Sequence, residues 1–392
     1  MDFKIINSKY FRYIDQAFYS VSTLLLSVLA PLCLMESDAA EVLYLISFLL
    51  LCLSLTTAFF VTPTITINDD SNETISRIFI IFVGILVFLF STTFVLNKIV
   101  DLKNLLFFYF VYLFCSLEFF RRVFIRKNLH KFSFFISMGM FFLIPLSYFF
   151  VFFYKTDIWL SLSLSLAFLF FCSVAFLASF ISFKVNLNLE FIKKIFRIGL
   201  VSVGSFFVMW CSTQGVFVIL YDHISHNVFI EQKLIFSILG FFNIIMLVQE
   251  NKYQPLYSKA ISSMDFSNIK KYDLSVNLES YIFLFLGILF FTFFWLLNFS
   301  FYLSFLLFTV FRFLMAISKS KVYYIRAIGR FEYLLYSNLI ALILLLFIYI
   351  FGWFSAFKEY QIPMYFVTHA FVFWILTNLW KKRGSNEKYW VV

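Results

Sequence analysis

Charge is scarce in this chain: 13% of its 392 residues are Asp, Glu, Lys or Arg, against 62% hydrophobic ones. Nothing in it has the composition of a separate soluble domain. The five cysteines (Cys33, Cys52, Cys115, Cys172 and Cys211) are odd in number and show no CxxC spacing. They imply neither a disulfide framework nor a zinc site. GxxxxGK[ST], HExxH and GxSxG are missing too, so the chain carries no P-loop, no zincin helix and no nucleophile elbow. An ATP-driven activity would need a partner, and no cofactor is expected. His223 and His226, beside Asp222, form the only histidine pair at useful spacing. Without a third strong ligand they read as solvated loop residues, and no metal is expected.

What the chain has instead is a series of apolar runs. Twelve stretches, each about long enough to cross a bilayer, lie near 17–34, 42–62, 78–96, 104–119, 133–153, 159–182, 199–220, 233–248, 278–297, 300–317, 333–351 and 363–380. A spanning helix takes about 20 apolar residues, and only helices or closed barrels satisfy their backbone in hydrocarbon. Continuous runs such as Leu105 to Leu117 exclude the alternating pattern of a barrel. The chain therefore reads as an all-α polytopic membrane protein. The longest polar stretch, about Glu250 to Asn277, reads as an amphipathic cytoplasmic connector with Lys270 and Lys271 at headgroup level. The first run lacks a small-residue cleavage site and leads into Glu36, Asp38 and Glu41, so it is expected to remain as a span.

Basic residues fall into alternate gaps between the runs. Of the 31 Lys and Arg, all but Lys98, Lys103, Lys155, Lys233 and Lys358 share one side when both termini are cytoplasmic. This is the positive-inside pattern. It accounts for the net charge of +10 through orientation and anionic headgroups, without nucleic acid.

The two halves can be overlaid. Phe11, Arg12 and the Tyr19-Ser20-Val21-Ser22 run entering the first span correspond to Phe196, Arg197 and Val201-Ser202-Val203-Gly204-Ser205 entering the seventh. Pro63 and Pro255 each lie in the polar segment that follows the second span of a half. Two six-span lobes, 1–185 and 186–392, are expected, with a site at the repeat interface.

Candidate site residues come from polarity at membrane depth. Arg12, Gln16, Tyr19, Ser20, Thr23 and Ser27 recur mostly at steps of three and four, along one helical face. Ser202, Ser205, Ser212 and Thr213, with Gln214 nearby, repeat the stripe in the seventh span. Such stripes belong in a bundle interior or a wet cavity, or else their hydroxyls simply bond their own helix. Arg312 is the deepest basic residue of the sequence reading, about 10 Å of helix from Lys319. It either contacts an anion inside the membrane or snorkels to the headgroups. Asp15, Glu118, Arg122 and Glu250 are either helix-spaced charge pairs or sites of proton or cation coupling.

Several short segments resemble one family. Tyr13-Ile14-Asp15-Gln16-Ala17 before a Ser-rich span, Glu118-Phe119-Phe120-Arg121-Arg122 ending span four, and Gln254-Pro255-Leu256-Tyr257-Ser258-Lys259 after span eight carry it. They resemble Wzx-like O-antigen and polysaccharide flippases of the multidrug, oligosaccharidyl-lipid and polysaccharide (MOP, MATE-like) exporter superfamily. The resemblance implies a MATE-like fold of about 12 transmembrane helices in two six-helix lobes. It also implies alternating-access transport of an undecaprenyl-diphosphate-linked O-antigen or capsule repeat unit across the bacterial inner membrane, with proton or sodium coupling in some members. A polysaccharide polymerase and a chain-length regulator are the partners it suggests, besides membrane lipids. The Phe-rich, Gly-poor composition resembles the codon usage of an AT-rich bacterial genome. Arg12, Gln16, Ser20, Thr23, Gln214 and Arg312 are the expected substrate contacts.

Two other functions compete. An O-antigen polymerase or lipid-linked glycosyltransferase would need a sizeable outward loop with catalytic residues, and the longest outward connection, Tyr221 to Gln232, is short. A MATE-type small-molecule exporter of cations would want an acidic cavity, whereas Arg12 and Arg312 favour an anion.

Overall fold

The computed structural model describes residues 3–61, 77–78, 80–82, 84, 101–127, 129–178, 189–240, 242–296, 302–357 and 359–386. The side chains of residues 3–13, Arg197 and Glu250 stand on described helices but are themselves outside the described part. Every regular element among the described residues is helical. The expected third span lies largely outside them, and so does the expected lobe boundary at 185–186.

Packing divides the chain into two compact units, Met1–Phe207 and Val208–Val392. In the first, α1 (Phe3–Val28) is followed by a short α2 (Ala30–Cys33) and by α3 (Glu36–Thr56), which ends in a π turn, Thr57–Val61. Then come α4 (Leu102–Arg126), α5 (His130–Tyr154), α6 (Ile158–Ala178) and α7 (Leu189–Ser212), the last crossing the division between the units. Pro31, which has no N–H and crowds the carbonyl four residues back, accompanies the break after α1. The Tyr148 hydroxyl donates to the Leu26 carbonyl at 2.7 Å and ties α5 to α1 near that break.

The second unit contains α8 (Gln214–Leu220), α9 (His226–Leu239), α10 (Phe242–Ser262), α11 (Phe266–Leu296), α12 (Tyr302–Ala327), α13 (Phe331–Ile350) and α14 (Gln361–Asn386). Among the described residues eight helices are long and apolar enough to cross a membrane, and the bent pair Val203–Ser212 and Gln214–His223, at 45°, would be a ninth. Phe142, Phe153, Phe168, Phe285, Leu296 and Ile350 are exposed on these helices. Exposed apolar side chains on helices of this length belong in lipid.

Three expectations need correction. Span seven is not straight but breaks at Thr213, and span eight is divided between α9 and α10. The stretch from Glu250 to Asn277 is no separate connector: α10 runs on to Ser262 and α11 starts at Phe266, joined by a tight turn in which Met264 takes φ 54°. Asp265 sits before α11 and accepts from the Asn268 backbone N–H at 3.2 Å, a cap that lets the long helix begin in water.

Ser320, by sequence a cytoplasmic loop position, is fully buried in α12 and cannot report topology. Ser37, Ser225 and Ser263 are exposed and can. In a background without the native cysteines, Ser37→Cys and Ser225→Cys should react with an impermeant thiol reagent in intact cells. Ser263→Cys should react only after permeabilisation, and labelling of it in intact cells would reverse the orientation.

Glycine permits a close helix contact at position 287. A Cβ at Gly287 in α11 would run into the Thr309 side chain of α12. Gly287→Val should destabilise the protein by about 1–3 kcal/mol through overpacking, read as a lower melting temperature in detergent.

Candidate functional site

Among the described residues, two groups of buried polar and charged side chains stand out, one in each unit. In the first unit they centre on Arg121, near the end of α4, whose side chain is wholly buried. Its Nη1 donates to Asp15 Oδ2 of α1 at 2.7 Å, and its Nε and Nη2 donate to Glu118 Oε2 and Oε1 at 2.7 and 3.1 Å. Gln16 Oε1 accepts from both guanidinium ends at 3.4 Å. The Tyr19 ring lies 4.1 Å beneath the guanidinium carbon. Ser137 of α5 donates to the second Asp15 oxygen at 2.6 Å, and Arg122 donates to Glu118 at 2.7 Å. Two arginines thus face two carboxylates, and the cluster is electrically balanced. Charges taken out of water must be paired and hydrogen-bonded, and these are.

The polar stripe on α1 is put to two uses. Gln16 Nε2 donates to Ser20 Oγ at 3.3 Å and continues the network, whereas Thr23 donates to its own helix at the Ser20 carbonyl, 2.8 Å away. The hydroxyls of Ser212 and Thr213 likewise donate to the carbonyls of Val208 and Met209, at 2.9 and 2.8 Å. These bonds occupy hydroxyls that the sequence offered to a ligand.

In the second unit five phenylalanines from four helices form an aromatic box. Phe366 of α14 touches Phe217 of α8, Phe236 of α9, and Phe308 and Phe311 of α12, with ring centroids 4.9 to 5.5 Å apart. Two cations lie on its rings. Arg312 sits 4.6 Å over Phe236 and 5.3 Å from Phe311, and its Nη2 donates to the Phe236 carbonyl at 3.3 Å. Lys233 sits 4.3 Å over Phe217 and donates to Gln214 Oε1 at 2.5 Å. Such cation–π contacts strengthen as water is excluded.

Lys233 is the main residue that the sequence reading missed. It stood among the outer loop charges, but α9 begins two turns earlier, at His226, so Lys233 is mid-helix and only 1% exposed. Its neighbour Gln232 fixes the level by donating to Ser304 Oγ at 2.6 Å and to the Glu359 carbonyl at 2.9 Å. Ser304 lies near the start of α12 and Glu359 just before α14, so Lys233 is close to the end of the spans at which those two helices begin. Arg312, eight residues further along α12 than Ser304, is about 12 Å deeper. His369 of α14, also passed over, is fully buried with neither ring nitrogen hydrogen-bonded among the described residues.

The remaining candidates lie elsewhere. The side chains of Arg12 and Glu250 lie outside the described residues. Gln249, beside Glu250, donates to Glu279 of α11 at 2.9 Å, which also receives Lys252 and the Tyr253 hydroxyl. His223 lies 3.4 Å from the Tyr349 hydroxyl, and His226 stacks on Tyr221. Among the described residues no three His, Cys, Asp or Glu come together as metal ligands would.

No family model and no curated protein matches the sequence. Solved structures do match its fold. The chain is similar to the eukaryotic MATE transporter AtDTX14, with a TM-score of 0.58 and 13% identity over 98% of this chain and 99% of that one. It is similar to a multidrug resistance MATE family transporter of the MOP superfamily in an outward-facing conformation, with a TM-score of 0.60 and 14% identity over 98% of this chain and 95% of that one. An inward-facing conformation of such a transporter gives 0.54 and 14% over 97% and 94%. The chain has the fold of the MATE transporters: all-helical, polytopic, with about twelve helices in two lobes.

Proposed function

We propose that this chain is a transporter working by alternating access, and that its substrate is an undecaprenyl-diphosphate-linked oligosaccharide carried from the cytoplasmic to the periplasmic face of a bacterial inner membrane. The observation that carries the anionic substrate is the placement of Arg312 and Lys233 on one aromatic box in the second unit. A cation at membrane depth costs at least about 2.5–3.5 kcal/mol on insertion scales, and an anionic ligand offsets that cost. Among the described residues of the first unit, the arginines of the buried cluster are bound to Asp15 and Glu118. Gln16 and Ser20, amides and hydroxyls with capacity to spare, suit sugar hydroxyls. In this reading both termini are cytoplasmic, a polymerase and a chain-length regulator act on the product, and a proton or sodium gradient supplies the drive.

The MATE fold favours a second reading, export of a small molecule, because proteins of that fold include a multidrug resistance transporter. Deleting the gene separates the two. Loss of surface polysaccharide, with lipid-linked units retained on the cytoplasmic leaflet, is the expected result. Unchanged surface polysaccharide with raised drug sensitivity would favour the exporter, and single unpolymerised units on finished glycolipid would favour a polymerase.

A further inference from the structure

The start of α13 and the end of α14 build an aromatic platform that carries two arginines. Gly329, at φ 75°, closes α12: its N–H donates to the Arg326 carbonyl and the Arg330 N–H to that of Ile325, both at 3.1 Å. A residue without a Cβ takes that backbone freely, and the tight turn sets Arg330 directly before α13. Three residues on, Tyr333 lies under the Arg330 guanidinium at 6.0 Å. Arg383 stands over Trp380 near the end of α14 with the same spacing, at 5.9 Å. The Tyr333 and Trp380 rings then stack across the two helices, 4.5 Å apart and within 10° of parallel.

The charge around this platform is almost all of one sign. Residues 319–338 and 374–386 hold seven Lys and Arg against one acid, Glu332. Glu332 accepts from Arg330 at 3.3 Å, with the two side chains 40% and 35% exposed. An exposed pair of this kind contributes little and gives way to a better acceptor. Lys381 is taken up by Asp273 of α11. Orientation by positive charge accounts for basic residues at this end, but it asks for no ring beneath them and is met by Lys as well as by Arg. Nor does the helix dipole place Arg330, which stands at the N-terminal end of α13, where an anion is favoured.

An apolar track leads to the same place. Phe371, Ile375 and Leu379 are exposed on α14 at steps of four, and the next step is Arg383. On α13, Tyr336, Ile340, Ile343 and Phe347 are exposed and lead back to Tyr333. Apolar faces that end on interfacial rings and guanidinium groups match a lipid, with acyl chains along the helices and a phosphate at their end. The cations repel a headgroup ammonium, as in phosphatidylcholine or phosphatidylethanolamine. A phospholipid whose headgroup adds no positive charge keeps the whole attraction.

We infer that this platform is a binding site for an anionic glycerophospholipid, its phosphate drawn by Arg330 and Arg383 and the guanidiniums held in place by Tyr333 and Trp380. A guanidinium stacked on a ring still presents its paired N–H donors to a phosphate, which an ammonium cannot do. The site lies beyond the last residue of α12, itself about 22 Å of helix from Arg312, and is separate from the aromatic box.

The test uses the full chain in phosphatidylcholine nanodiscs with a minor share of phosphatidylglycerol that carries a diazirine at the head-proximal end of one acyl chain. Photolysis and peptide mapping should place the label within 330–340 and 375–383. Unlabelled phosphatidylglycerol should compete it away, and inorganic phosphate should not. Arg330→Gln combined with Arg383→Gln should cut the yield about fivefold or more, and the pair Arg330→Lys, Arg383→Lys should recover less than about half of it. Both positions reach the surface, and the mapping on the unaltered chain stands even if a variant proves unstable. Equal labelling by a diazirine phosphatidylcholine would overturn the site and leave ordinary boundary lipid. Full labelling of the lysine pair would overturn it too, since bare positive charge would then suffice. Competition by inorganic phosphate would make it a free-phosphate site, and undecaprenyl diphosphate clearing the label far below the phosphatidylglycerol concentration would assign it to the substrate; either result sinks the phospholipid site.

Discussion

Arg121→Met is expected to cost about 3–5 kcal/mol, the largest loss of stability from any single change in the first unit. The guanidinium serves Asp15, Glu118 and Gln16 at once, and its removal leaves two buried carboxylates with far fewer donors. Detergent-solubilised protein should show this as a lower melting temperature and poor yield. The triple variant Arg121→Met, Asp15→Asn, Glu118→Gln should recover most of the loss, since neutral side chains need no counter-charge. Arg122 tolerates the triple change because its side chain is 30% exposed and can turn to solvent. Asp15→Asn alone should be mild in stability, because Arg121 keeps both bonds to Glu118 and Ser137 can reorient its hydroxyl. That single variant also separates the two roles open to Asp15. Unchanged transport and unchanged dependence on the ion gradient would leave it a structural partner, and loss of gradient dependence would make it the coupling site.

Much of the helical plan was legible because lipid forces long apolar runs to be helices, and runs such as those in α5 and α12 need no tertiary information. Irregularities were less so. Ser212, Thr213 and Gln214 form a polar run that reads as part of a helical stripe as readily as a break, so the bend in span seven is not marked by the sequence, whereas Pro31 marks the break after α1. The candidate site was legible where partners lie on one helix. Glu118 stands one turn from Arg121 and Arg122, and the spacing alone pairs them. Asp15 reads as a partner of Arg12, three residues away, whose side chain lies outside the described residues; that it also accepts from Arg121, 106 residues along the chain, only the tertiary arrangement of α1 and α4 brings about. Lys233 misled for another reason. A lysine near the end of an apolar run normally snorkels outward, and nothing in one sequence says that Gln214 and Phe217 will hold it in.

Arg312→Gln should abolish export while leaving insertion and folding intact. The sequence left two roles open for this residue, and they make opposite forecasts. A snorkelling arginine reaches along its helix to the cytoplasmic headgroups. In the structure the guanidinium instead turns across to α9, over the Phe236 ring and onto the Phe236 carbonyl, beside the rings that carry Lys233. Glutamine keeps a donor for that carbonyl and roughly the length of the stem, so local packing survives and only the charge is lost. If the charge holds the substrate diphosphate, transport in proteoliposomes should fall at least about tenfold, equivalent to 1.4 kcal/mol or more. Arg312→Lys should restore part of it, because an ammonium meets a diphosphate as a point charge without the paired bonds of guanidinium. Lys233→Gln should impair the same transport, since both cations belong to one box. Full transport by Arg312→Gln at matched expression would remove the box from substrate binding and leave Gln16 and Ser20 of α1 as the polar contacts still available to the sugar.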